Sequence, residues 1–183
     1  MIENLVERLE RYRKTNSGES DTVDLFVAFL QKNRAKSFCR LLTEGHVTAS
    51  CWLLNQAQTH VLLTHHRKLN RWLQLGGHAD GESDPVKVAL AEASEESGIK
   101  NIRTLSDDIF DIDRHVIPAR NNEPEHFHYD FRFAMQTTGS DDYVVSDESH
   151  DLRWVDITRM TQYAADESVL RMGQKWLSRV SIS

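Results

Sequence analysis

Three glutamates, Glu92, Glu95 and Glu96, stand at i, i+3 and i+4. On a helix these positions project from one side within about one turn. Carboxylates crowded in this way repel one another, a cost that stability alone does not explain. A bound divalent cation converts the repulsion into coordination. An all-oxygen ligand set suits Mg2+ or Mn2+, which keep several waters and favour phosphate substrates. The pair Gly76 and Gly77 precedes the loop leading to the glutamates, and glycines let a backbone carbonyl approach a ligand closely. The competing reading is a solvated acidic helix face, because glutamate is common on exposed helices.

The spacing decides between them. The segment resembles the Nudix box, Gly-x5-Glu-x7-Arg-Glu-U-x-Glu-Glu-x-Gly-U, with U apolar. Gly77, Glu92, Glu95, Glu96 and Gly98 stand at its fixed positions, and Ala93 and Ile99 at the U positions. With glycine and glutamate each near about 7% of residues, five such matches arise by chance in roughly one chain of this length per few thousand. The resemblance covers residues 45 to 160, approximately. Two positions depart: Ser83 stands where the family has glutamate, flanked by Glu82 and Asp84, and Ala91 where it has an arginine that orients the glutamates.

The resemblance implies a Nudix α/β/α sandwich of α+β class with a mixed sheet. It also implies Mg2+-dependent cleavage of a pyrophosphate bond in a nucleotide, or in a nucleoside diphosphate linked to another group. Carried over by position, Glu92, Glu95, Glu96 and the Gly76 carbonyl become metal ligands. The general base in the family is a box glutamate, here Glu92 or Glu95, or a later loop carboxylate, for which Glu148 is the candidate.

The elements that must position these residues are legible around them. Asp84 as N-cap, Pro85 at the first helical position and Gly98 just past the end predict a helix over 85–97. Val86, Ala89, Leu90, Ala93 and Ser97 form its packing face, and the glutamates centre about 125° from it. The strand Phe127 to Met135 alternates strictly. Phe127, Tyr129, Phe131 and Phe133 predict a core face, and His126, His128, Asp130 and Arg132 a face toward solvent or substrate. Arg132 would pair with phosphate and Asp130 with a ribose hydroxyl. A zinc site from His126, His128 and either His78 or His115 is the less favoured alternative, its remaining ligands being unplaced. The basic run His65, His66, Arg67, Lys68, Arg71 is either a solvated turn or a phosphate-facing patch. Arg67, Arg71, His78, His128, Asp130 and Arg132 are therefore the candidate substrate contacts.

The chain has 183 residues, 39% hydrophobic and 27% charged, with net charge −6. Such a balance fits a globular domain with a sizeable core and argues against binding nucleic-acid polymers, which needs a basic surface. Two cysteines, Cys39 and Cys51, show no zinc or disulfide spacing, as expected of a cytoplasmic protein. No segment reaches the roughly 20 apolar residues of a membrane span. Residues 1–44 predict a helical extension: Ile2, Leu5, Val6 and Leu9 make one stripe, Asp21 or Thr22 caps a second helix, and Phe38, Leu41 and Leu42 mark a short third. This extension would cap the cleft or make a homodimer. Residues 45–183 would form the Nudix domain, with strands at 46–54, 60–64, 72–75, 102–117 (one strand or two), 127–135 and 152–155, and a helix over 158–180.

Two other functions stay open. Ser83 and Ala91 fit a catalytically weak domain that senses a nucleotide. The loop after Gly77 is similar to one in isopentenyl diphosphate isomerase, but Gly76 stands where that enzyme needs a catalytic cysteine, and Cys51 lies on another strand.

Overall fold

The computed structural model describes residues 2–120, 123–147, 149–164 and 166–180. Its helices are α1 (Ile2–Thr15), α2 (Ser20–Asn33), α3 (Pro85–Ser97) and α4 (Glu167–Val180). Its strands are β1 (Gly45–Leu54), β2 (His60–His66), β3 (Arg71–Leu73), β4 (Leu75–His78), β5 (Ile102–Thr104), β6 (Asp111–Ile117), β7 (His126–Thr137) and β8 (Ser149–Asp156). The architecture is α+β, a mixed sheet with helices and a helical region before the first strand. The strands hydrogen-bond in the order β3-β2-β1-β7-β5, with β4 on β1, β6 on β7 and β8 on β2. Two compact units can be distinguished, Met1–Ser50 with Gly77–Ala89 and Ser106–Phe133, and Cys51–Gly76 with Leu90–Leu105 and Ala134–Ser183.

In the first unit the apolar stripe of α1 (Ile2, Leu5, Leu9, Tyr12) is buried as its spacing predicts. Helix α2 lays Phe26 edge-on against Tyr129 and Phe131 (ring centroids 5.3 and 5.1 Å), and Phe29 stacks on Tyr129 at 3.9 Å. The extension thus buries its aromatic face on β7, and each ring pair adds about 0.5–1.5 kcal/mol beyond area burial. Helix α2 starts at Ser20 with no side-chain cap, a residue or two before the expected cap. The expected third helix is a short 3-10 segment, Arg34–Phe38, and Leu41 is exposed. Gly45 opens β1 at φ +149°, where a Cβ would come within 2.5 Å of the Phe127 carbonyl oxygen.

In the second unit β2 pairs antiparallel with β3 and, from His60 opposite Asp156 to His66 opposite Ser149, with β8. Strands β3 and β4 replace the one expected strand at 72–75, and of the one or two strands expected over 102–117 there are two, β5 and β6. The predicted helix over 158–180 is broken: a 3-10 segment, Ile157–Gln162, precedes α4. Val169, Met172, Gly173 and Trp176 form the buried face of α4, while Leu177 and Val180 are exposed. Trp176 donates its indole N–H to the Gln58 carbonyl at 3.2 Å, the partner a buried indole requires. Among the described residues no helix is long and apolar enough to cross a membrane.

Candidate functional site

Helix α3 begins and ends where its residues dictate. The Asp84 carboxylate accepts the Val86 N–H at 3.2 Å, and Gly98 closes the helix at φ +72°, its N–H bonded to the Ser94 carbonyl at 2.9 Å. Glu82, one of the acids flanking Ser83, accepts the Asp84 N–H at 2.9 Å, so it stiffens the turn into the helix.

The three glutamates differ in environment. Glu96 is buried, Glu92 half-buried and Glu95 exposed. The packing face is therefore rotated from the expected one: Val88, Ala89, Ala93, Glu96 and Ser97 are buried, and Val86 and Leu90 only partly. Glu96 Oε1 accepts the Gly76 N–H at 2.8 Å. This charge-assisted bond fixes the carboxylate without the arginine that Ala91 replaces. Ala91 is itself exposed. Gly76 and Gly77 lie in the extended strand β4. Cys51 is fully buried, and burial, with the nearby Glu96 charge, pushes its thiol well above its ordinary value. It is an inert thiol rather than a proton-transfer group.

In the same unit Arg67 is exposed and donates to the Ser149 carbonyl at 3.2 Å. Arg71 is exposed, 3.8 Å from the Asp166 carboxylate. Both guanidinium groups sit at the surface, on or next to the β2–β3 hairpin. Glu148, the expected loop base, lies outside the described residues.

The polar face of β7 is not a solvent face. Arg132 is fully buried and holds Asp130 through Nε (2.8 Å), Asp111 through NH1 (3.1 Å) and Asp113 through NH2 (3.4 Å). Asp130 also accepts the hydroxyls of Thr48 (3.0 Å) and Ser50 (2.8 Å). Burial alone would lower the Arg132 pKa; Asp130, Asp111 and Asp113 outweigh it and hold it above the ordinary value. Asp130 and Arg132 thus tie β7 to β1 and β6.

His128 and His78 belong to a second grouping that also contains His46, which the sequence reading did not single out. Donor nitrogens of His46, His78 and His128 all lie within 4.8 Å of one another. Among the described residues this is the one set of three such side chains whose donor atoms converge. Burial first, then the neighbouring His78 and His126, lowers His46 to about 4. Burial and the surrounding histidines lower His128 to about 2, and burial lowers His78. The rings are therefore neutral at pH 7. Both ring nitrogens of His46 and Nε2 of His128 are buried without a hydrogen-bond partner, and each such orphan costs about 1–3 kcal/mol.

The NUDIX domain model matches residues 44–173. The chain belongs to the NUDIX family. A crystal structure of a NUDIX-family hydrolase from Clostridium perfringens is similar with TM-score 0.57 and 25% identity, over 74% of this chain and 97% of that one. The Ap4A hydrolase of C. elegans, in a binary complex, gives TM-score 0.55 and 15% identity over 75% and 98%. The NUDIX domain of Shewanella oneidensis NrtR, cocrystallised with ADP ribose, gives 0.54 and 13% over 82% and 97%. The last two likenesses show the Nudix fold alone. No curated protein matches the sequence. Within the NUDIX box of this chain, α3 carries the glutamates and β4 supplies the amide that orients one of them.

Proposed function

We propose that this NUDIX protein is a Mg2+-dependent hydrolase of a pyrophosphate bond in a nucleotide or a nucleoside diphosphate linked to another group, acting in the cytoplasm. The observation that carries the reading is the box helix: three carboxylates on one side of α3, one of them fixed by the Gly76 amide. The donor set, Glu92, Glu95, Glu96 and the Gly76 carbonyl, is all oxygen, which fits a hard divalent cation. Mg2+ held there would neutralise charge on the pyrophosphate and lower the pKa of a bound water; Mn2+ meets the same requirements.

The chain's own groups then divide the work. Glu96 is oriented before substrate arrives. Glu92, half-buried, and Glu95, at the surface, are the box candidates for taking a proton from the attacking water, with Glu148 the loop candidate. Arg67 and Arg71 supply positive charge for a phosphate chain. The substrate is a small molecule, and base, sugar and leaving group are selected by residues outside the box.

The test is phosphate or nucleotide release from nucleoside triphosphates, dinucleoside polyphosphates, ADP-ribose and nucleotide sugars, with Mg2+ and Mn2+. Turnover by the natural chain, lost in Glu96→Gln, supports the reading. Binding without turnover, seen as a raised melting temperature, replaces it with a nucleotide sensor, a reading that Ala91 and Ser83 favour. Isomerisation of isopentenyl diphosphate would overturn it; the buried Cys51 thiol and Gly76 in the catalytic cysteine's place speak against that.

A further inference from the structure

Strands β4, β1 and β7 are successive hydrogen-bonded neighbours, and β6 follows β7. Each carries a histidine: His78, His46, His128 and, directly opposite His128, His115. Ring centroids of His46 lie 5.0 Å from His78 and 4.8 Å from His128, and His78 lies 5.0 Å from His128. His126 completes the cluster, 5.0 Å from His46.

We propose that His46, His78 and His128 form a binding site for a borderline transition-metal ion, Zn2+ first among them, separate in chemistry from the carboxylates of the box. Three observations carry it. Donor nitrogens of all three converge within 4.8 Å. A four-coordinate zinc with bonds of about 2.0–2.1 Å keeps its ligand nitrogens about 3.3 Å apart, so ring rotations closing about 1.5 Å complete the set. His46 is 3% exposed with neither ring nitrogen bonded, and His128 Nε2 is buried and unbonded; a neutral imidazole carries one lone-pair nitrogen, and among the described residues no hydrogen-bond partner meets that of His46. Two further histidines stand beside the three. His115 shares its Nδ1 proton with Asp113 at 3.0 Å, and His126 donates Nδ1–H to the Pro124 carbonyl at 2.9 Å. Each is thereby set in the tautomer whose Nε2 carries the lone pair. Three imidazoles select Zn2+, Co2+, Ni2+ or Cu2+ over Mg2+, which takes oxygen. The His126 ring lies 5.0 Å from that of His46 and 5.4 Å from that of His128. The inference does not depend on the pyrophosphatase reading.

The experiment uses the full chain without a histidine tag. Protein purified without chelator, loaded with Zn2+ and dialysed against metal-free buffer is analysed for metal, and affinity is measured by competition with a coloured zinc chelator. The expected result is about one tightly held zinc per chain. His46→Gln and His128→Gln should each weaken it by about 100-fold or more, while His60→Gln, at the start of β2, and Glu96→Gln leave it unchanged. Cobalt loading of the natural chain adds a reading that no variant's folding can spoil: intense visible d–d bands mark four-coordinate nitrogen ligation. No tight zinc in the natural chain, zinc retained by both histidine variants, zinc lost in Glu96→Gln, or only the weak bands of six-coordinate cobalt would each overturn the proposal.

Discussion

Arg132→Met separates two roles for a residue whose position on an alternating strand marks it equally for substrate or for structure. Methionine keeps most of the stem and removes the guanidinium. What remains is Asp130 and Asp111, both buried, and Asp113, without the guanidinium that stood 2.8, 3.1 and 3.4 Å from them. Breaking a buried pair by deleting one partner costs about 3–5 kcal/mol, because the surviving charge is left uncompensated in a poor solvent. Three carboxylates around one lost cation place the value toward the upper end. For a chain of this size the loss lowers the melting temperature by about 6–20 °C.

The sign with pH follows. Deprived of Arg132, the buried carboxyls take pKa values above their unfolded values near about 4. The folded variant then binds more protons than the unfolded one below those raised values, so its stability rises as pH falls from 8 toward 5. Urea denaturation of both proteins at pH 8, 7, 6 and 5 measures this: the deficit should shrink toward acid. Asp130→Asn added to Arg132→Met should recover part of the loss. A deficit under about 1 kcal/mol at pH 8, accompanied by a raised KM in whatever reaction the chain catalyses, would refute the network and return Arg132 to the substrate.

Three further outcomes follow from the same structure. Glu96→Gln keeps an oxygen for the Gly76 N–H but loses the charge, so kcat/KM should fall by about 100-fold or more while stability changes by less than about 1 kcal/mol; equal activity would remove Glu96 from the site. Gly45→Ala sets a Cβ 2.5 Å from the Phe127 carbonyl oxygen at φ +149°, and should cost about 2–4 kcal/mol in urea denaturation, since backbone must move. Gly98→Ala meets Val144 at 3.2 Å with φ +72°, a side chain that yields more easily, and should cost about 1–2 kcal/mol.

The box helix was legible because its signals are local. Asp84, Pro85 and Gly98 set its ends within one short stretch, and the glutamate spacing is a property of one turn. Strand β7 shows where such reading stops. Alternation correctly divides Phe127, Tyr129, Phe131 and Phe133 from His126, His128, Asp130 and Arg132, but it cannot say what covers the second face. That face is matched by another period-two stripe far away in the chain. His46, Thr48 and Ser50 alternate along β1, and the structure sets them against His128 and Asp130. The stripe was visible in the sequence as polar residues in an otherwise apolar strand. What the sequence lacked was the pairing of β1 with β7, a contact across some 80 residues that only the sheet supplies. Once the strands are paired, the two stripes meet polar side to polar side along one line. At the Asp130 end they are satisfied by Arg132, Thr48 and Ser50. At the His128 end three imidazoles converge, and among the described residues neither ring nitrogen of His46 nor Nε2 of His128 has a hydrogen-bond partner. The same register that closes the ion-pair network therefore brings the histidine cluster together beside it.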